Sequence, residues 1–164
     1  VLKPGAEPAQ ATSLLDLFIG NHAGVIGETS IICLLIGAVY LLVKKIISWR
    51  IPVCYIATFA ILIFLLAPGH QFETEYLLKE LCAGGLVLGA FFMATDYVTS
   101  PITPMGKIVF GVILGILTFI FRMYGGSAEG VSYAIIFSNL LVPLIERVTV
   151  PTSFGKKKPE KEAK

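Results

Sequence analysis

The longest stretch of this sequence without a Lys, Arg, Asp or Glu is Ile51–Phe72. A helix that crosses a bilayer needs about 20 predominantly apolar residues, and this run meets the requirement unaided. Four more apolar runs, Thr29–Val43, Leu81–Thr95, Ile108–Phe121 and Gly130–Ile145, count 14 to 16 residues between charges. Their flanking charges, Lys44, Glu80, Lys107, Arg122 and Glu146, extend a span by about a turn where the side chains snorkel to the interface. Runs this short also fit broken or re-entrant helices packed inside a larger protein. The chain as a whole has too little charge for water: 15% of residues are charged and 55% hydrophobic, against about 25% charged in ordinary soluble domains. A soluble enzyme, a nucleic-acid-binding module and a disordered tail are thereby excluded. The pattern predicts an all-α polytopic membrane protein with about five transmembrane helices.

Basic residues in short loops predict orientation. Lys44, Lys45 and Arg50 share one loop beside Trp49, an interface anchor; Lys107 closes another, and Arg147 opens a Lys-rich end. The alternate loops hold Lys79 and Arg122 but collect Glu73, Glu75, Glu80 and Glu129. With five spans the basic loops fall on one side, which predicts a cytoplasmic C-terminus. The expected division is an extracytoplasmic linker over 1–25, a membrane domain over 26–147 and a cytoplasmic tail over 148–164. The tail reads as a solvated segment that touches anionic lipid at most. The start at Val1, with no Met and no signal-peptide pattern, reads as a fragment or a processed product. A net charge of +2 calls for no anionic partner, and Cys33, Cys54 and Cys82 lack the spacing of a zinc or iron–sulfur site.

Few residues near membrane depth carry chemistry. Gly85 and Gly89, and likewise Gly111 and Gly115, are spaced to share a helix face and permit close backbone approach. Asp96 stands in Thr95-Asp96-Tyr97-Val98-Thr99-Ser100-Pro101-Ile102-Thr103-Pro104, where two prolines forbid regular helix. Freed carbonyls beside a carboxylate suit a cation; the plainer alternative is a cap or turn at the interface. Glu28 opens the first run, where a helix dipole favours a carboxylate. Ser138 and Asn139, midway along the fifth run, are suited to interhelical hydrogen bonds. Arg122 and Glu129 bracket a glycine-rich turn and pair weakly if exposed. Thr12 reads on residue type alone as an N-cap, with Ser13-x-x-Asp16 resembling a capping box. His22 and His70 are isolated, and no nucleophilic set is visible.

The segment Thr95–Pro104 resembles a signature of the D component of the Rnf electron-transport complex. So do Gly27-Glu28-Thr29-Ser30, Trp49-Arg50-Ile51-Pro52, the run Arg122–Val131, Pro143-Leu144-Ile145-Glu146 and Phe154-Gly155, in order and approximate spacing. The same family includes the B component of the sodium-pumping NADH:quinone reductase. The resemblance implies a C-terminal half: members are about twice as long, with two related five-helix halves in an inverted-repeat bundle that resembles urea and ammonium channel folds. It also implies covalent FMN, held as a phosphoester on a threonine in an Ala-Thr pattern that Ala11-Thr12 matches; Gln10 and Ser13 depart from the pattern's usual flanks. A phosphate on Thr12 would sit near the helix N-terminus suggested at Ser13, where backbone N–H groups favour an anion. The implied partners are the other components of the complex, a flavin transferase and membrane lipid, in the cytoplasmic (inner) membrane.

The expected function is therefore an ion-translocating electron-transport subunit of the ferredoxin:NAD oxidoreductase type. Thr12 is its FMN anchor, Asp96 and Glu28 lie on the path of Na⁺ or H⁺, and the chain is not catalytic alone. The competing expectation is one half of a secondary transporter or channel with no redox cofactor, and a weaker third is a scaffold for partner proteins. A five-span half with exposed small-residue faces is expected to aggregate when isolated.

Overall fold

The computed structural model describes Ile19 and residues 30–67, 72–82, 85–125 and 130–150. Among the described residues every regular element is helical: α1 (Ile31–Val43), α2 (Arg50–Leu66), α3 (Thr74–Cys82), α4 (Leu86–Leu88), α5 (Pro104–Tyr124) and α6 (Gly130–Thr149). α4 continues into a π-helical turn, Gly89–Met93. The chain is an all-α polytopic membrane protein, and each of the five apolar runs contributes helix.

The lengths are distributed differently from the sequence expectation. α5 and α6, with 21 and 20 residues, are long and apolar enough to cross a membrane. α3 and α4 with its π turn pass the same test as one span bent by 64°. α2, from the run expected to be long enough unaided, is a shorter apolar helix of 17 residues, as is α1 with 13. α2 stops because Ala67 is extended (φ −62, ψ 119) ahead of Pro68, whose ring disfavours the helical region for the preceding residue. α5 gains length at both ends. Pro104 sits at its first turn and the Thr103 hydroxyl accepts from the Gly106 N–H at 3.0 Å, a regular N-terminal cap. At its other end the helix runs on through Arg122, because that charge is buried and paired within the protein.

The core lies where α5 packs against α2 on one side and α6 on the other. Tyr55, Phe59, Phe110 and Leu114 are fully buried there. Gly111 and Gly115 bring the α5 backbone directly onto α2. A Cβ at Gly115 would lie 2.7 Å from Thr58 Cβ and 3.0 Å from the Tyr55 carbonyl, and one at Gly111 would lie 3.0 Å from the Ile51 carbonyl. Gly115→Val is expected to force the two helices apart at a cost of about 1–3 kcal/mol. The measurement is thermal unfolding of the full-length protein in detergent, with Val112→Ala on the outer face of α5 unchanged as the control.

The other glycine pair behaves differently. Gly85 adopts a left-handed conformation (φ 67) ahead of α4 and shares no helix face with Gly89. Gly89 alone makes the close approach, since a Cβ there would collide with Val131 on α6. The π turn widens the helix at this point, with the Ala94 N–H donating to the Gly89 carbonyl at 2.8 Å. Large apolar side chains remain exposed on α1 (Ile36, Val39) and on α6 (Ile136, Leu140, Leu144). In a bilayer such faces meet lipid or neighbouring helices.

Candidate functional site: a buried ion pair at a broken helix

α3 ends at Cys82, and a helix end leaves its last carbonyls without intrahelical partners. The Arg122 guanidinium, from the last turn of α5, fills this need. Its Nη1 donates to the Glu80 carbonyl at 2.6 Å and to Glu80 Oε2 at 3.1 Å. Both side chains are withdrawn from the surface, 5% exposed for Arg122 and 9% for Glu80. The guanidinium also lies 5.1 Å from the centre of the Phe59 ring on α2, a cation–π contact that gains strength on desolvation. Tyr76, one turn before Glu80 on α3, hydrogen-bonds to the Glu80 side chain.

One turn deeper on both α2 and α5, the hydroxyls of Tyr55 and Thr118 bond to each other at 2.7 Å, fully buried. Tyr76, Glu80, Arg122, Thr118 and Tyr55 thus form a polar file in an otherwise apolar interface. Beyond it Gly115, Leu114, Gly111 and Phe110 close the contact with apolar packing. Arg122 is therefore not the surface turn residue that the sequence implied. A signal for the pair was present: Glu80 begins one apolar run and Arg122 ends the next, so antiparallel helices carry them to the same end of the bundle.

The opposite end holds the segment 95–104. Asp96 is exposed there, and its Oδ2 accepts from the Thr99 hydroxyl at 3.2 Å. Its carbonyl accepts from the Ser100 N–H at 3.2 Å, which closes a turn. The Thr95 hydroxyl donates back to the Phe91 carbonyl at 2.7 Å. Pro101 is buried. The Ile102 N–H donates to Glu146 Oε1 at 3.1 Å, and Thr103 donates to the Thr149 hydroxyl at 2.9 Å. The Tyr97 hydroxyl donates to the Ile46 carbonyl, joining the loop after α1. Two stretches singled out in the sequence, Thr95–Pro104 and Pro143–Glu146, are thus brought together as a tie between helix ends. Asp96 in this arrangement serves a turn.

Ser138 is fully buried on α6, and its Oγ finds no hydrogen-bond partner among the described residues. Its neighbour Asn139 has a carbonyl that Pro143, lacking an N–H, leaves without its helical donor. Thr12 and Glu28 lie outside the described residues, as do Glu129, His22 and His70. Among the described residues no group of three or more His, Cys, Asp or Glu is arranged to hold a metal, and Cys33, Cys54 and Cys82 are free thiols.

Residues 2–155 match the NQR2, RnfD, RnfE family. The D component of the Na⁺-translocating ferredoxin:NAD⁺ oxidoreductase complex of Acetobacterium woodii is 46% identical over 166 residues, an alignment covering 100% of this chain and 50% of that protein. The D component of the proton-translocating ferredoxin:NAD⁺ oxidoreductase complex of Clostridium ljungdahlii is 46% identical over 139 residues, 85% of this chain and 42% of that protein. The D component of the ion-translocating oxidoreductase complex of Stutzerimonas stutzeri is 40% identical over 147 residues, 88% of this chain and 41% of that protein. The chain spans half or less of the length of these relatives. A match over nearly every residue, together with the all-helical membrane architecture, fixes the kinship: the chain belongs to the NQR2, RnfD, RnfE family.

Proposed function

We propose that this chain is membrane-embedded machinery of a redox-driven, ion-translocating ferredoxin:NAD⁺ oxidoreductase complex. The observation that carries this reading is the 46% identity, along the whole chain, to a component of a complex named for Na⁺ translocation. A buried ionic pair among apolar helices supports it, because ionisable groups at such positions mark ion or proton paths. In this reading the chain works with the other components of its complex in the cytoplasmic membrane, with its C-terminus inside and residues 1–25 outside.

The cofactor assigned to it is FMN, esterified through its phosphate to the Thr12 hydroxyl by a flavin transferase. The linkage leaves the isoalloxazine ring free for electron transfer, which is the chemistry FMN supplies when bound. Ala11-Thr12 supports the assignment through its match to the family's attachment pattern. Na⁺ and H⁺ are both candidate cargo, since relatives at the same identity are named for each.

The test uses membrane vesicles from the source cell, with and without the gene for the full-length protein. Reduced ferredoxin is expected to drive NADH formation together with cation uptake in the parent, and deletion is expected to abolish both. Unchanged rates after deletion contradict the reading.

A further inference from the structure

The Glu80–Arg122 pair satisfies the Glu80 carbonyl at the end of α3, but that task does not require two buried charges. Burying two charges costs several kcal/mol per ion, and well-packed apolar or neutral residues commonly serve stability as well or better. The site is nevertheless elaborate. A carboxylate, the backbone carbonyl of the same residue and a tyrosine hydroxyl from one turn earlier converge where α3 breaks off. Carboxylate and carbonyl oxygens are the kind of ligand that a hard cation takes. The positive charge now occupying them belongs to the protein itself, on a side chain anchored to another helix and resting on the Phe59 ring. Arg122 also has the Thr118 and Tyr55 hydroxyls one turn away along the same interface.

We propose that Glu80 is a cation subsite for which Arg122 is the resident substitute. The carboxylate exchanges the guanidinium for a transported monovalent cation, Na⁺ or H⁺, and takes the guanidinium back when the cation leaves. No bond is made or broken beyond hydrogen bonds and coordination when the cargo is Na⁺, and the carboxylate stays ionised. With H⁺ the carboxylate gains an O–H bond and becomes the neutral acid while Arg122 keeps its charge. The inference rests on the reading of the complex as an ion translocator. Within that reading it moves the ion-handling carboxylate from the exposed Asp96 to the buried Glu80. Arg122 acts as a positioning residue.

The test uses the whole complex in proteoliposomes, supplied with reduced ferredoxin and NAD⁺. The quantity read is cation moved per NADH formed, by ²²Na⁺ uptake in one arm and by internal acidification in sodium-free buffer in the other. The arm that responds in the parent identifies the cargo. Glu80→Gln combined with Arg122→Gln removes both charges and keeps the polar contacts; the ratio is expected to fall at least tenfold. A variant that only loses folded complex lowers both rates together and leaves the ratio at the parent value, so a parental ratio overturns the proposal. Glu80→Asp keeps the charge but withdraws it by one methylene. It is expected to preserve the ratio and raise the half-saturating cation concentration at least threefold; an unchanged concentration also overturns the proposal. A parent complex that moves no cation at all contradicts the functional reading itself, an outcome distinct from either variant result.

Discussion

Arg122→Met is expected to destabilise the protein by about 3–5 kcal/mol, the usual cost of leaving one partner of a buried ion pair without its counter-charge. Three losses act together. The Glu80 carboxyl group, 9% exposed, loses its counter-charge in an apolar setting; the Glu80 carbonyl loses its 2.6 Å donor; and Phe59 loses its cation. The unpaired carboxylate dominates, because transfer of an isolated charge from water exceeds the loss of a neutral hydrogen bond. Glu80→Gln combined with Arg122→Met is therefore expected to recover most of the loss. Thermal unfolding of the purified full-length protein in detergent, followed by size-exclusion chromatography, compares the three forms. Equal instability of the single and double variants would place the cost in the packing of Arg122 on Phe59 instead of in the charge.

The sequence made the architecture legible because the membrane imposes a coarse rule, that apolar runs between charges become helices. Among the described residues that rule located the helices other than α3, whose Glu75, Lys79 and Glu80 were read as loop, and the close packing at Gly111 and Gly115. It misjudged lengths wherever a charge was not at the surface. Arg122 was read as a boundary, whereas α5 runs through it to Tyr124; its partner Glu80 stands at the start of the preceding apolar run, and only antiparallel packing of the two runs joins them. The opposite error occurred in Ile51–Phe72, where hydropathy continued past the helix but Pro68 ended it at Leu66. Gly85 and Gly89 had the spacing of a packing motif, yet spacing cannot tell a helix face from a turn with φ 67.

The candidate site followed the same division. Asp96 attracted attention through its irregular surroundings; there Thr99 and Ser100 close a turn on Asp96, and Ile102 ties the same segment to Glu146 on α6. Glu80 was read as an ordinary flanking charge and Arg122 as a turn residue facing Glu129, so neither was paired with the other. Their chemistry exists only after α3 and α5 are folded beside each other. Tyr55 and Thr118 were hidden similarly, as hydroxyl residues 63 positions apart that meet at 2.7 Å.

The second large effect concerns Thr12. With FMN attached through this hydroxyl, Thr12→Val removes the only side-chain oxygen at that position that can form the phosphoester, and covalent flavin is expected to fall to background. Gln10 and Ser13 are predicted to be tolerated by the transferase, so Gln10→Gly and Ser13→Pro are expected to leave flavin content near that of the parent. The redox role stands most directly on the intact mass of the full-length protein, co-expressed with its own flavin transferase. Attachment at Thr12 predicts a mass higher by one FMN less one water in the parent and none of that gain in Thr12→Val. A parent at its unmodified mass, with the transferase active on another substrate, would contradict it.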